Sequence, residues 1–340
     1  MNQLVAPDLT VLRTAQAWLA AGDAVWLATV IDTYGSAPRP VGAMAAVNQR
    51  GEVVGSVSGG CIEDDITDWL RRDALACKLG TTLVYGVNAD ERARLRLPCN
   101  GHLMLWLEPA DAMQLAQLLG HIDAGHCARR TLQLTDGTAV VSAADPGERC
   151  RLIGQTFVQV LGPTHRLVLI GASDVSRYLA PMALGLGFAV QVVDPRTEYL
   201  STWPHAGCEL LADMPDDLLL REPADVNTAV VALSHDPKLD DLALMEALQQ
   251  PAFYVGAMGS PRTTQARKAR LAQFDLDADA LARLRGPVGL DIGARTPPEI
   301  AISVAADLVR VMRQGESRSP VAASLPSRLS SSTSSQLVTP

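Results

Sequence analysis

Six cysteines are the side chains best suited to covalent or metal chemistry in this chain of 340 residues, and two of them keep unusual company. Cys61 follows Gly59 and Gly60 and precedes Ile62 and Glu63, where the pattern turns into a helix. A thiol there gains from the unpaired N–H groups of a helix start and from the positive end of its dipole, and the glycines let a ligand approach the backbone. The competing reading is a small apolar residue, buried and inert. Cys99 stands in Leu97-Pro98-Cys99-Asn100-Gly101, a loop just before a strand, where a thiol can face a cleft. Ser36 and Arg39 lie between Gly35 and Gly42, in a loop whose composition suits contact with an anion. Glu63 and Asp64 read as first-turn helix acids.

A second candidate is the turn Gly171-Ala172-Ser173-Asp174-Val175-Ser176 between a strand and a helix. Dinucleotide-binding turns read G-x-G-x-x-G with an acidic residue about 20 positions later. Asp194 stands 23 residues after Gly171, but only the first glycine is kept. Ser173 puts a side chain where a pyrophosphate would approach, and Asp174 adds negative charge at the helix start or simply caps it. The spacing predicts a Rossmann-type turn, with Gly171 and Asp194 as possible nucleotide contacts and NAD(P) not expected as the ligand. Three further clusters follow predicted strands: Ser234–Asp241, Tyr254–Arg262 and Gly286–Thr296. Together they predict one cleft at the carboxyl ends of a sheet, in which His235 is either a general base or a solvated side chain beside Asp236.

The elements that must position these residues follow from periodicity. A helix is expected over 8–21, capped by Asp8, with Val11, Leu12, Ala15, Trp18 and Leu19 on one face. Val25–Ile31 reads as a buried strand, Met44–Val47 and Val53–Val57 as a hairpin, 62–77 as a helix, and Thr81–Val87 and His102–Leu107 as strands. Residues 111–163 read as a less regular connecting segment with a helix near 111–120 and two short strands. Arg166–Ile170, a helix to about Leu186 and Ala189–Val193 make a βαβ unit, which requires a parallel sheet. Thr228–Leu233, Ala252–Val255 and Val288–Leu290 are the remaining strand candidates. The fold class is α/β, divided as an N-terminal domain over 1–110, the connecting segment, a Rossmann-like domain over 164–313 and a Ser- and Pro-rich tail from 314 that is expected to be disordered.

Composition narrows the function. A net charge of −8 argues against a sequence-independent grip on nucleic acid, which needs a surplus of Lys and Arg. No apolar run reaches bilayer-spanning length, and the first residues lack the pattern of a secretory signal, so a cytoplasmic protein without a membrane role is expected. The cysteines form no C-x-x-C pair, which leaves no zinc ribbon or redox dithiol to read from spacing.

Taken in order, these segments resemble the XdhC/CoxI family of accessory proteins for molybdenum hydroxylases. The matching stretches are YGSAPRPVG (Tyr34–Gly42), GSVSGGCIE (Gly55–Glu63), LPCNG (Leu97–Gly101), VVDPR (Val192–Arg196), SHDPKLDD (Ser234–Asp241), YVGAMGSPRT (Tyr254–Thr263) and GPVGLDIGARTPPE (Gly286–Glu299). The resemblance implies an N-terminal α/β domain carrying the GGC motif and a C-terminal Rossmann-like domain, assembled as a homodimer. It also implies a chaperone without turnover of its own. Such a protein binds the molybdenum cofactor, a Mo-molybdopterin that some relatives use in a cytosine dinucleotide form. It shields the cofactor while a cysteine desulfurase supplies the sulfido ligand, then delivers it to an apo molybdenum hydroxylase of the xanthine dehydrogenase type. Cys61 and Cys99 map onto the family's two motif cysteines, with Cys61 a possible neighbour of the molybdenum. Gly59, Gly60, Arg39 and Ser36 would complete the cofactor site. Two positions depart from the family pattern: Gly171-Ala172-Ser173-Asp174 replaces its G-A-G-H turn, and Cys99-Asn100-Gly101 its C-G-G. An NAD(P)-dependent oxidoreductase and a cysteine-dependent sulfurtransferase are the alternatives.

Overall fold

The computed structural model describes residues 6–34, 39–60, 62–73, 79–86, 102–145, 147–274 and 276–317. They divide after Gly162 into two compact units.

The first unit opens with α1 (Pro7–Ala20). Pro7 suits a helix start because its missing N–H is one no helix would use. Asp8 lies in the first turn and is not the cap, a place taken by Ala6 without a side-chain hydrogen bond. Strands β1 (Val25–Tyr34), β2 (Met44–Asn48), β3 (Val53–Gly55), β4 (Thr81–Tyr85) and β5 (His102–Pro109) form an antiparallel sheet in the order β3-β2-β1-β5-β4. Helix α2 (Glu63–Asp73) covers one face. Ile62, Ile66, Trp69 and Leu70, at helical spacing, are buried there with Ala28, Val30, Leu83 and Leu105. Helices α1 and α3 (Ala112–Asp123) cover the other face, where Leu12, Leu115 and Leu118 are buried with Val25, Leu27 and Met44. Because both faces are covered, β1 reads as an unbroken apolar run although its neighbours are antiparallel.

The stretch expected to connect two domains folds into the first unit. Besides α3 it holds β6 (Ala128–Gln133), β7 (Ala139–Ala143), β8 (Arg151–Ile153) and β9 (Thr156–Leu161), a second antiparallel sheet in the order β7-β6-β9-β8. A buried ion pair, Arg130 to Glu108 at 2.8 Å, joins β6 to the end of β5.

The second unit alternates strand and helix: β10 (His165–Ile170), α4 (Asp174–Gly185), β11 (Phe188–Val193), α5 (Thr197–Ser201), β12 (Cys208–Leu211), α6 (Pro215–Arg221), β13 (Thr228–Ala232), α7 (Pro237–Gln249), β14 (Tyr254–Ala257), α8 (Pro261–Leu271), α9 (Ala278–Arg283), β15 (Leu284–Arg285) and α10 (Pro297–Ser317). All six strands are parallel, in the order β12-β11-β10-β13-β14-β15. Counted from β10 this is 3-2-1-4-5-6, the doubly wound Rossmann order. Successive residues of β10 face opposite layers: Leu167 and Leu169 pack with α4 and α10, Val168 and Ile170 with α6 and α7.

Val288–Leu290 is not a strand. Its apolar residues serve a buried crossing segment in which Val288 N–H donates to Ala257 O and Ser303 Oγ donates to Leu290 O. Helix α10 continues through Gln314 to Ser317, past the point where the composition changes. Among the described residues no helix is long and apolar enough to cross a membrane.

Candidate functional site

Strand order sets the strand ends that flank the three N-terminal motifs along one edge of the sheet. In the sheet β3-β2-β1-β5-β4, the same edge collects the ends of β1, β3 and β4 and the starts of β2 and β5. The connections leaving that edge are residues 35–43, 56–62 and 86–101. They carry Ser36 and Arg39, Gly59 to Cys61, and Cys99 respectively. Ser36, Cys61 and Cys99 lie outside the described residues; what the structure defines is the frame around them.

That frame centres on Glu63. Its carboxylate accepts from Ser56 Oγ at 2.6 Å, Val57 N at 2.8 Å, Ser58 N at 3.0 Å, Gly60 N at 3.0 Å and Ile62 N at 3.2 Å, and also from Ser58 Oγ. Ser56 Oγ in turn accepts from Gly59 N, and Ser58 Oγ from Ile62 N. Burial opposes the charge on Glu63, but hydrogen bonds from Ser56 and Ser58 outweigh it and pull its pKa down to about 2. One ionised side chain therefore pins the loop on both sides of Cys61. Gly60 is held at φ +119°, a conformation other residues rarely adopt, and among the described residues beyond its chain neighbours nothing lies within 4 Å of where its side chain would begin.

The amides of Gly60 and Ile62, on either side of Cys61 in the chain, are occupied by Glu63 and Ser58. The first turn of α2 adds the acids Asp64 and Asp65. Sequence reasoning took Glu63 for an ordinary first-turn acid. The capping box it knows places Ser three residues before Glu, whereas here the partners stand five and seven residues before it.

Arg39 reaches this loop and donates from Nε to Ser56 O at 3.0 Å, while its terminal nitrogens donate to no described residue. Its charge also bears on Asp8: burial raises the Asp8 carboxyl, and Arg39 partly offsets the rise. Neither Cys127, Cys150 nor Cys208 forms a disulfide, and burial pushes all three thiols up, away from reactivity.

The second unit holds a cleft of about 1040 Å³ at the point where the strand order reverses. It is lined by Ala172 to Val175, Arg196, Tyr199, Ser234 to Pro237 and Pro297, among others. Of the three C-terminal clusters expected to share one cleft, only Ser234–Asp241 lines it; no residue of Gly286–Thr296 or Tyr254–Arg262 is in the lining, although Pro297, just past the former, is, and Ser260 instead caps α8. Gly171 sits at φ +92°, and a Cβ on it would stand 2.5 Å from Ser234 Cα. Its glycine is thus required for the contact between two loops. Ser173, not Asp174, caps α4 by accepting from Ser176 N.

Asp194 is fully buried, and both of its oxygens are engaged. It accepts from Ala172 N at 2.9 Å, Arg196 N at 3.0 Å, and Arg196 Nε and Nη2 at 2.8 Å each. Burial raises its carboxyl, and the bonds from Arg196 and Ala172 N more than compensate, holding it below the usual range. The acid that would grip a ribose diol is therefore turned to holding Arg196, whose guanidinium lies 4.3 Å over the Tyr199 ring. His235 adopts φ +62° and is exposed at the cleft. Among the described residues no group of three His, Cys, Asp or Glu side chains could hold a metal ion.

A Rossmann domain with an altered phosphate turn, joined in one chain to an α/β unit with a pinned Gly-Gly loop, defines the class of protein. The comparisons with known proteins make it specific. Residues 167–308 match the model described as the XdhC Rossmann domain, and residues 18–86 the model of the XdhC and CoxI family. The chain belongs to the XdhC and CoxI family. It is 26% identical over 317 residues to a probable xanthine dehydrogenase subunit of Bacillus subtilis (strain 168), covering 85% of this chain and 93% of that one. It is 26% identical over 312 residues to the molybdenum cofactor insertion chaperone PaoD of Escherichia coli (strain K12), covering 89% and 88%. A crystal structure described as a xanthine dehydrogenase from Bacillus halodurans is similar over 92% of this chain and 98% of its own, with a TM-score of 0.72 and 26% identity.

Proposed function

We propose that this chain binds a molybdenum cofactor as cargo and passes it to an apo-enzyme of the xanthine dehydrogenase type. The observation that carries the reading is the convergence of three motif-bearing connections at one edge of the N-terminal sheet, around the loop pinned by Glu63. A relative named as a molybdenum cofactor insertion chaperone, similar over most of both chains, supports it.

In this reading Cys61 and Cys99 face the molybdenum or its sulfido ligand, because thiolate is a soft donor suited to both. Gly59 and Gly60 leave room for the cargo, and Arg39, with Ser36, contacts its phosphate through guanidinium nitrogens that donate to no described residue. The sulfur comes from a cysteine desulfurase, and the cargo stays shielded from water until it is handed on. The occupied amides on either side of Cys61 favour a carrier over a nucleophilic sulfurtransferase. The engaged Asp194 disfavours an NAD-dependent oxidoreductase.

A carrier acts in proportion to its amount. Loaded protein mixed with an apo-enzyme of the xanthine dehydrogenase type should raise hydroxylase activity linearly with chain added and stop at one equivalent. Activation that continues past many equivalents, with a sulfur donor present and the chain unchanged, would show a catalyst instead.

A further inference from the structure

At the edge where the three connections leave the N-terminal sheet, one large aromatic side chain faces solvent. Tyr34, the last residue of β1, is 66% exposed. A lone exposed apolar residue needs no explanation. Tyr34 is not alone, however. Its ring lies parallel to that of His102, with centroids 5.6 Å apart and planes 10° apart. The two residues are directly opposite each other in the β1–β5 register, so the pairing is built into the sheet. Asp32, on the same strand as Tyr34, places a carboxylate 4.0 Å from His102 Nε2. The result is a flat aromatic ring, backed on one side and held in orientation, with most of its area uncovered.

Such a surface suits a planar, nitrogen-rich ring system. Offset stacking on a ring already held in place gains the contact at little cost in side-chain ordering. We infer that Tyr34, backed by His102, is the stacking platform for the pterin ring of the cargo. This inference rests on the proposed function, since it takes the cargo to contain a pterin. It extends that reading from the cysteines and the phosphate contacts to the organic ring. The family motifs did not single out either residue: Tyr34 entered only as the first letter of a loop motif, and His102 as the first residue of a strand.

The test uses the full chain purified from a host that makes the cofactor, as wild type, Tyr34→Ala and Tyr34→Phe. Two quantities are read: pterin retained per chain after extensive dialysis, and the circular dichroism induced in the pterin absorption band. Tyr34→Phe keeps the ring and should retain pterin within twofold of wild type, with the induced band intact. Tyr34→Ala should release pterin about tenfold faster and lose the band, while it stays folded, with thermal unfolding lowered by no more than about 4 °C for the lost cross-strand pair. A folded Tyr34→Ala that keeps both pterin and band overturns the platform and leaves the proposed function standing. So does a variant that keeps pterin but fails to bind the apo-enzyme, which would make Tyr34 a protein-contact residue. A wild type that carries no pterin overturns the proposed function itself, and the platform with it.

Discussion

Replacing Glu63 by Gln is expected to destabilise the N-terminal unit by about 3 kcal/mol at neutral pH, and the loss should disappear in acid. Six donors converge on the Glu63 carboxylate, four of them backbone amides around the Gly-Gly loop. A Gln side chain has the same shape, but its NH2 end turns toward donors that then have no acceptor. Each buried donor left unmatched costs about 1–3 kcal/mol. The pH dependence gives an independent handle. An ordinary Glu titrates near 4.5, while folded Glu63 titrates at about 2. Because the folded value is the lower one, the stabilisation is complete above the unfolded value and is lost as pH falls toward 2. The gap corresponds to about 3 kcal/mol. Urea unfolding followed by tryptophan emission reports mainly this unit, since Trp18, Trp26, Trp69 and Trp106 all lie in it. Wild type and Glu63→Gln should differ clearly at pH 7, draw together as pH falls below 4.5, and converge only below about pH 2. A constant difference across that range would show that Glu63 does not pin the loop through its charge.

Gly171→Ala should be the most damaging single-methyl change in the Rossmann unit, with a loss of about 3 kcal/mol or more. The added Cβ would meet Ser234 Cα at 2.5 Å, its Cβ at 2.7 Å and its N at 2.8 Å. Two of these three atoms are backbone, so no rotamer change relieves the clash. Gly187→Ala is the control. Gly187 has a similar backbone, φ +87°, but nothing within 4 Å of the added methyl. Its cost should be only the conformational one, about 1 kcal/mol. Calorimetry of the two variants should show the C-terminal transition much lower for Gly171→Ala. Equal transitions would mean that the loops at the strand-order reversal part easily, and that this glycine is kept for a ligand rather than for packing.

Much of the fold was readable because it depends on local pattern. The βαβ unit, with its apolar run, single glycine turn and following strand, was placed to within a residue. The N-terminal hairpin was also legible from two apolar runs about a polar turn, although its second strand ends at Gly55 and not at Val57. Of the elements that escaped, β9 (Thr156–Leu161) is an apolar run passed over inside a stretch read as a connecting segment, while two others lack such a pattern. Strand β8 has three residues, and β12 is a short edge strand whose middle residues are exposed, so neither shows an apolar run. Val288–Leu290 was misread because a buried crossing segment and a buried strand have the same composition. For the site, residue types were legible and partners were not. The spacing from Gly171 to Asp194 was right for a dinucleotide site, yet Arg196, two positions further on, takes the carboxylate. Nothing about Tyr34 or His102 taken singly marks them, because their pairing depends on which strands are neighbours. The gathering of three motifs at one sheet edge likewise follows from the order β3-β2-β1-β5-β4, which no local pattern encodes.

The central claim is that the chain carries a molybdenum cofactor at the loop pinned by Glu63. Its most direct test is the molybdenum and oxidised-pterin content per chain after purification from a host that makes the cofactor, for wild type and Cys61→Ala side by side. Wild type should carry both in equal amounts, approaching one per chain, and Cys61→Ala should carry several-fold less molybdenum while remaining folded. Neither molybdenum nor pterin on the wild type, even after incubation with released cofactor, would contradict the claim.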